Sequence, residues 1–435
     1  MNLLFSASIF SFFTLISRIL GYLRDILIAF FLGASIFADA FFVAFRLPNT
    51  FRRLFAEGTF NAAFIPSYTS AKIENSKKGK IFADEVLGLL LIVLTFLVTI
   101  AEIFTPFLVY LIAPGFIDDD IKFNLAVEFT RITFPFLLFV SLSSFFSGIL
   151  NANNKFAAAA AAPIFLNLIL ISSIIFSYYQ NLNIAKQLSY GVTVAGIIQL
   201  IFLIYATSEF YKPNLLLKIK FSKKVKLFFN KLLPSIFASG VTQINILIGT
   251  IIASFQTGAV SYLYFADRVY QINLAIAGIA VGTVSLPVLS KAVKMRNFSK
   301  LSHIQNRSIE LSLLLSIPAS VGLIIASEEI INGLFGYGSF TPEDVKMTSD
   351  ALMFFGYGVI AFAPIKILAN FFFARDNTII PFYISSLIVF LNVAISLSFF
   401  NRIGFLIIPI ATSFSTWIGV LIFLYFLRKN NFLML

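Results

Sequence analysis

Eight basic residues fall where the chain is otherwise oily: Arg18, Arg24, Arg46, Arg52, Arg53, Arg131, Arg268 and Lys366. Guanidinium groups are planar forks that suit phosphate oxygens, which they often meet bidentately. Each such cation costs about 2.5–3.5 kcal/mol near the centre of a bilayer on insertion scales. It therefore needs a carboxylate, water or an anionic ligand. In "SRILGYLRDILIAFFLG" (17–33), Arg18 and Asp25 are seven residues apart and can share a helical face, with Ser17 and Arg24 on the adjoining strip. In "ADAFFVAFRLPNTFRRLFAEGTFNAAFIPSY" (38–68), Asp39, Arg46 and Arg53 are also seven apart, and Pro48 removes a backbone donor and predicts a kink. Arg52 lies about 100° round the helix from Arg53. That makes Arg52 a cavity candidate and Arg53 a partner for Glu57, four residues on. "SYLYFADRVYQ" (261–271) sets Asp267 beside Arg268.

Internal ion pairing through Asp25, Asp39, Glu57 and Asp267 accounts for individual arginines but not for the group. Six arginines face four acids in these segments. An unpaired buried cation is costly, so the surplus predicts a hydrated cationic cavity or an anionic, phosphate-bearing ligand. Covalent chemistry has little support. The chain has no cysteine and one histidine, His303, which excludes thiolate chemistry and argues against a Ser-His-Asp triad or a His-rich metal cluster. No metal or cofactor is expected. Asp118–Asp120 read as an outward-facing acidic cluster rather than as catalytic carboxylates.

The elements that must position these residues are membrane helices. Of 435 residues 59% are hydrophobic and 12% charged, against about 25% charged in soluble domains. Twelve spans are predicted, at 5–32, 36–66, 85–113, 125–150, 157–179, 188–209, 232–255, 259–290, 308–335, 348–373, 378–400 and 404–427. No basic residue precedes the first apolar run, so it is expected to be a retained helix, not a cleaved signal. With the N-terminus inside, 20 basic residues fall in inner loops and four (Lys122, Lys186, Lys346, Arg402) in outer ones. That bias puts both termini in the cytoplasm. It also explains the net charge of +12 as topology signals beside anionic lipid, with no nucleic-acid partner.

A repeat is visible too: Gly33-Ala34 returns as Gly258-Ala259, Gly58-Thr59 as Gly282-Thr283, and Leu166-Asn167 as Leu391-Asn392. The expected fold is an all-α polytopic membrane protein of about twelve helices. Two pseudo-symmetric six-helix lobes, 1–211 and 232–435, would flank a basic cytoplasmic linker at 212–231 and enclose a central cationic cavity.

"SRILGYLRD", "ADAFFVAFRLPNTFRRLFAEGTFNAAFIP" and "ADRVYQ…GTVSLPVLS" resemble signatures of the MurJ (MviN) lipid II flippase family, part of the MATE-like transporter superfamily. The resemblance covers most of the chain. It implies a non-enzymatic transporter of the bacterial inner membrane. The cargo would be lipid II, the undecaprenyl-diphosphate-linked MurNAc-pentapeptide-GlcNAc precursor of peptidoglycan, exported from inner to outer leaflet by alternating access. Matched positions imply Arg18, Arg24, Arg52 and Arg268 as cavity cations, with Ser17, Asn49 and Ser261 also on the substrate side. Asp39 matches a further functional position. With Asp25, Arg53 and Glu57 it makes up the expected gating and ion-pair set, in which Asp39 would pair with an arginine freed in the empty state.

Two departures stand out. Many members carry two further C-terminal helices for the lipid tail, whereas this chain ends at "LRKNNFLML", so the tail is expected to be held differently. Gln271 stands where some members have Glu, which weakens proton coupling there. Coupling to the membrane potential or to a monovalent cation stays open. Asn392, Ser396 and Thr412 are neutral and read better as interhelical hydrogen-bonding groups. A monomer is expected, surrounded by membrane lipid. The competing readings are a flippase for another polyprenyl-diphosphate-linked glycan and a cation-coupled multidrug exporter. The exporter would want acidic and aromatic cavity positions where this chain has arginine.

Overall fold

Apolar chain in hydrocarbon must satisfy its own backbone, and a helix does so within one segment. The computed structural model describes residues 3–56, 59–214 and 222–433, and every regular element among them is helical. The first nine helices are α1 (Leu3–Leu32), α2 (Ile36–Ala56), α3 (Thr59–Glu74), α4 (Ser76–Ile103), α5 (Thr105–Ile112), α6 (Asp120–Thr133), α7 (Phe136–Ala152), α8 (Phe156–Tyr179) and α9 (Ile184–Thr207). They are followed by α10 (Lys223–Ala253), α11 (Ala259–Leu274), α12 (Val281–Lys294), α13 (Phe298–Ile325), α14 (Ser327–Phe335), α15 (Pro342–Phe373), α16 (Ile379–Ile403) and α17 (Ile407–Lys429). A π-helical stretch, Ala275–Ala280, joins α11 to α12. Among the described residues eight stretches are long and apolar enough to cross a bilayer, one of which (Ile379–Lys429) contains both α16 and α17.

The helix boundaries repeat. α4 and α13 are both 28 residues long, and both ends of α13 lie 222 residues after those of α4. α8 recurs as α16 and α9 as α17, each shifted by 222–224 residues. The single helix α15 stands in the order of α6 and α7, which part at Thr133–Phe136 because Pro135 cannot donate to a continuing helix. Even the caps recur. Asn75 caps α4 by accepting from the Lys77 amide, and Asn297, 222 residues later, caps α13 through the Lys300 amide. Asp119 caps α6 and Thr341 caps α15, again 222 apart. Side-chain caps satisfy amides that a helix start leaves free.

The chain divides into two compact units, Met1–Gln243 and Ile244–Leu435, with the boundary inside α10. In the first, α8 packs on α1 and α9, α7 on α9 and α3, and α2 on α6. Its core is a cluster of phenylalanines: Phe64 lies 5.2 Å from Phe60 and from Phe145, ring centre to ring centre, and 6.0 Å from Phe82. In the second unit α15 is the hub, packed by α17, α13, α11 and α12.

The ends of the basic 212–231 segment that lie among the described residues are anchored to α3 and α4. Tyr211 donates to Asp84 (2.6 Å), Ser222 to Glu85 (2.5 Å), and Lys224 pairs with Glu74 (2.7 Å).

Candidate functional site

Arg24 is buried on α1, and all three of its guanidinium nitrogens donate. Nε and Nη2 reach Asp25 Oδ1 at 3.0 and 2.7 Å, and Nη1 reaches Asn167 Oδ1 on α8 at 3.0 Å. Asn167 in turn donates to the Ser17 carbonyl at 2.8 Å and approaches the Ser17 hydroxyl at 3.4 Å. Sequence spacing suggested that Asp25 would share a face with Arg18; its partner is instead its neighbour Arg24. Arg18 is exposed and makes no hydrogen bond or ion pair with a described residue. The two arginines of one helix thus have different environments. One is a fixed strut, the other an open cation.

On α2, Arg46, Arg52 and Arg53 are half-buried, and Arg52 Nε donates to Asn49 Oδ1 at 2.9 Å, one turn back. Glu57, the expected partner of Arg53, lies outside the described residues.

Asp39 has a lysine as an ion-pair partner. It is fully buried at the start of α2, and Lys122 Nζ lies 2.7 Å from its Oδ2, with Phe116 below the ammonium at 4.1 Å. This corrects the sequence reading, which put Lys122 in an outer loop. The lysine is 3% exposed, on the first turn of α6. Hydropathy counting could not find it, because its counter-charge is 83 residues away.

In the second unit Ser261 is buried in the first turn of α11. Arg268 Nη2 donates to the Tyr264 hydroxyl at 2.9 Å, and the guanidinium lies 5.0 Å from the centre of the same ring. Asp267 accepts from Gln271, one turn on. Lys366, in the span of α15, is exposed, sits 5.8 Å from the Phe362 ring centre, and has no carboxylate partner among the described residues. The neutral set is engaged in hydrogen bonds: Asn392 donates to Asn245 at 2.8 Å, Ser396 donates to Asn392 at 3.4 Å, and Thr412 donates to a carbonyl of its own helix. No group of three or more His, Cys, Asp or Glu side chains able to hold a metal occurs among the described residues.

Of the four acids in the arginine-bearing segments, two have a cation at 2.7 Å. Asp39 is occupied by Lys122 and Asp25 by Arg24.

A family model described as "Lipid II flippase MurJ" matches residues 28–434. The chain belongs to the MurJ lipid II flippase family. A probable lipid II flippase MurJ of Rhizobium meliloti is 40% identical over 94% of this chain and 77% of the relative. Its counterpart in Rickettsia prowazekii is 37% identical over 96% of this chain and 82% of the relative. Among solved structures, a MurJ in an inward closed conformation superposes with a TM-score of 0.86 at 27% identity, covering 97% of this chain and 88% of that one. An inward-facing MATE-family multidrug transporter reaches 0.78 at 14% identity, with 95% and 94% coverage, and shares the fold. MurJ membership makes the chain a multi-pass transporter.

The arginines were legible from the sequence as cations in the wrong solvent. Lys122, Asn167 and Tyr264, which hold or orient the charged groups, were not. For Asn167 a signal existed: it recurs as Asn392 in the repeat.

Proposed function

We propose that this chain exports lipid II from the inner to the outer leaflet of the bacterial inner membrane by alternating access, without covalent chemistry. The observation that carries the reading is the surplus of guanidinium groups on α1, α2 and α11 in a chain of the MurJ family. A diphosphate stripped of water needs replacement partners, and fixed arginines supply them. Arg18 and Arg52 are the cations of the first unit proposed to receive the diphosphate, with Asn49 steering Arg52. Arg268, oriented by Tyr264, is the proposed cation of the second unit, and Ser261 lines the same path. Arg24 acts from behind: its strut through Asp25 and Asn167 holds Ser17 and the α1 face in place.

Binding can shift the inward–outward equilibrium only if the anion interacts differently with the two states. A diphosphate held more tightly by these cations in one state than in the other is such a difference. The inside-negative potential assists, since each negative charge carried fully outward gains about 2.3 kcal/mol per 100 mV. We assign twelve crossings, both termini to the cytoplasm, a monomeric state and no cofactor to the working protein.

The test is complementation of a strain depleted of its precursor flippase, with external accessibility of the precursor as readout. Wild-type chain is expected to restore access. Arg18→Ala, Arg52→Ala and Arg268→Ala, at equal membrane levels, are expected not to. Full activity of all three variants would remove the proposed site.

A further inference from the structure

Lys122 and Asp39 join the start of α6 to the start of α2, at 2.7 Å and out of contact with solvent. The repeat identifies the corresponding places in the second unit. Asp344 stands 222 residues after Lys122, and Tyr262, like Asp39, is the fourth residue of its helix. These two are also bonded, Tyr262 donating its hydroxyl proton to Asp344 Oδ1 at 3.1 Å. The same tie is therefore made twice, from the start of each unit's second span to the start of its fourth. An ion pair makes it in one copy and a phenol–carboxylate bond in the other. The two ties share a place in their units and differ in chemistry. Below the tie, α2 carries Pro48 within the helix, and the second unit has the π-helical turn.

We propose that Lys122 is a positioning residue for transport: it latches the outer half of α2 to α6, and Asp39 serves as its counter-ion rather than as a contact for cargo. Removing either partner strands the other charge in a buried place, whereas removing both does not. The inference needs only that the chain is a transporter, and does not depend on where the diphosphate binds.

The test compares Asp39→Asn, Lys122→Met, Lys122→Arg, the double neutral Asp39→Asn/Lys122→Met and the swap Asp39→Lys/Lys122→Asp, at matched membrane levels and with thermal melting as a control for folding. Translocation of precursor is one readout. The other is labelling of a single cysteine at Ile36→Cys by an outside thiol reagent, unambiguous because the chain has no cysteine of its own. The single neutral variants are expected to lose tenfold or more in translocation and to gain labelling at position 36. The double neutral should recover to within a few-fold on both readouts, and Lys122→Arg should stay close to wild type. The swap keeps the test open should the double neutral fail to accumulate. If the double neutral and the swap melt like wild type yet are as inactive as Asp39→Asn, Asp39 has a role of its own and the latch is refuted.

Discussion

Asn167 accepts a hydrogen bond from the buried Arg24 guanidinium at 3.0 Å and returns one to the carbonyl of Ser17 at 2.8 Å, so a single amide on α8 fixes two turns of α1. An amide suits the place because it both accepts and donates. Leaving a buried donor unsatisfied costs about 1–3 kcal/mol, more for a charged group. Asn167→Ala is expected to lower the melting temperature and cut precursor translocation at least tenfold. Asn167→Asp keeps the acceptor but loses the donor to Ser17, and should fall between the two. Unchanged translocation by Asn167→Ala would show that the strut has no part in transport.

Arg268 is held by a ring and by that ring's hydroxyl. Tyr264→Phe removes one hydrogen bond and leaves the cation–π contact, worth about 0.5–2 kcal/mol. A loss of a few-fold in translocation is expected. Arg268→Lys keeps the charge but not the planar fork, and should lose tenfold or more. Equal activity of the lysine variant would mean that charge alone suffices there. Both are read from initial rates in proteoliposomes of matched protein content.

Lys366 is an intramembrane ammonium with an aromatic ring beside it and no carboxylate partner among the described residues. Such a residue marks a hydrated or anion-bearing path by default. Lys366→Arg is expected to keep translocation within a few-fold of wild type, and Lys366→Met to reduce it at least fivefold with an unchanged melting temperature. Loss of folding without a selective loss of transport would instead make the lysine structural.

Tyr211 is buried beside Asp84, and burial together with that carboxylate pushes its phenol above the ordinary value of 10. A group whose folded pKa is raised adds stability that is fully present below its unfolded pKa and lost as pH rises through the folded one. Wild type should therefore exceed Tyr211→Phe in melting temperature through pH 8–9, and the gap should close as pH climbs beyond about 10. At pH 8 the hydrogen bond to a charged acceptor is worth about 1.5–3 kcal/mol. A gap constant to pH 11 would refute the assignment.

How much could be read in advance follows from the range of each interaction. The spans, the repeat and the misplaced arginines are local or periodic features, visible in a window of about twenty residues. The order of helices found in the structure repeats at an offset of 222–224 residues, close to the 225 of Gly33-Ala34 and Leu166-Asn167. The side chains that decide which arginine is available are long-range partners. Asn167 lies 143 residues from Arg24, and Lys122 lies 83 from Asp39. Lys122 misled for a further reason: a lysine near a helix end looks like a topology marker until its buried carboxylate is known. Tyr264 was within reach, being four residues before Arg268 and so on the same helical face, but an aromatic there reads equally as lipid-facing.

The wide turn at Ala275–Ala280 separates two jobs in one span. Above it α11 presents Arg268 and Ser261; below it α12 is fastened to α15, where Asn370 donates to the Gly282 carbonyl at 2.7 Å and to Ser285 Oγ at 3.3 Å. One residue of an α-helix is about 100° of rotation. The looser winding thus sets the azimuth of the arginine relative to the rivet beneath it. Excising a single residue from this turn would swing the guanidinium round by roughly a quarter of a circle while the lower half stayed bolted to its neighbour, so the length of this short stretch, as much as its composition, aims the charge.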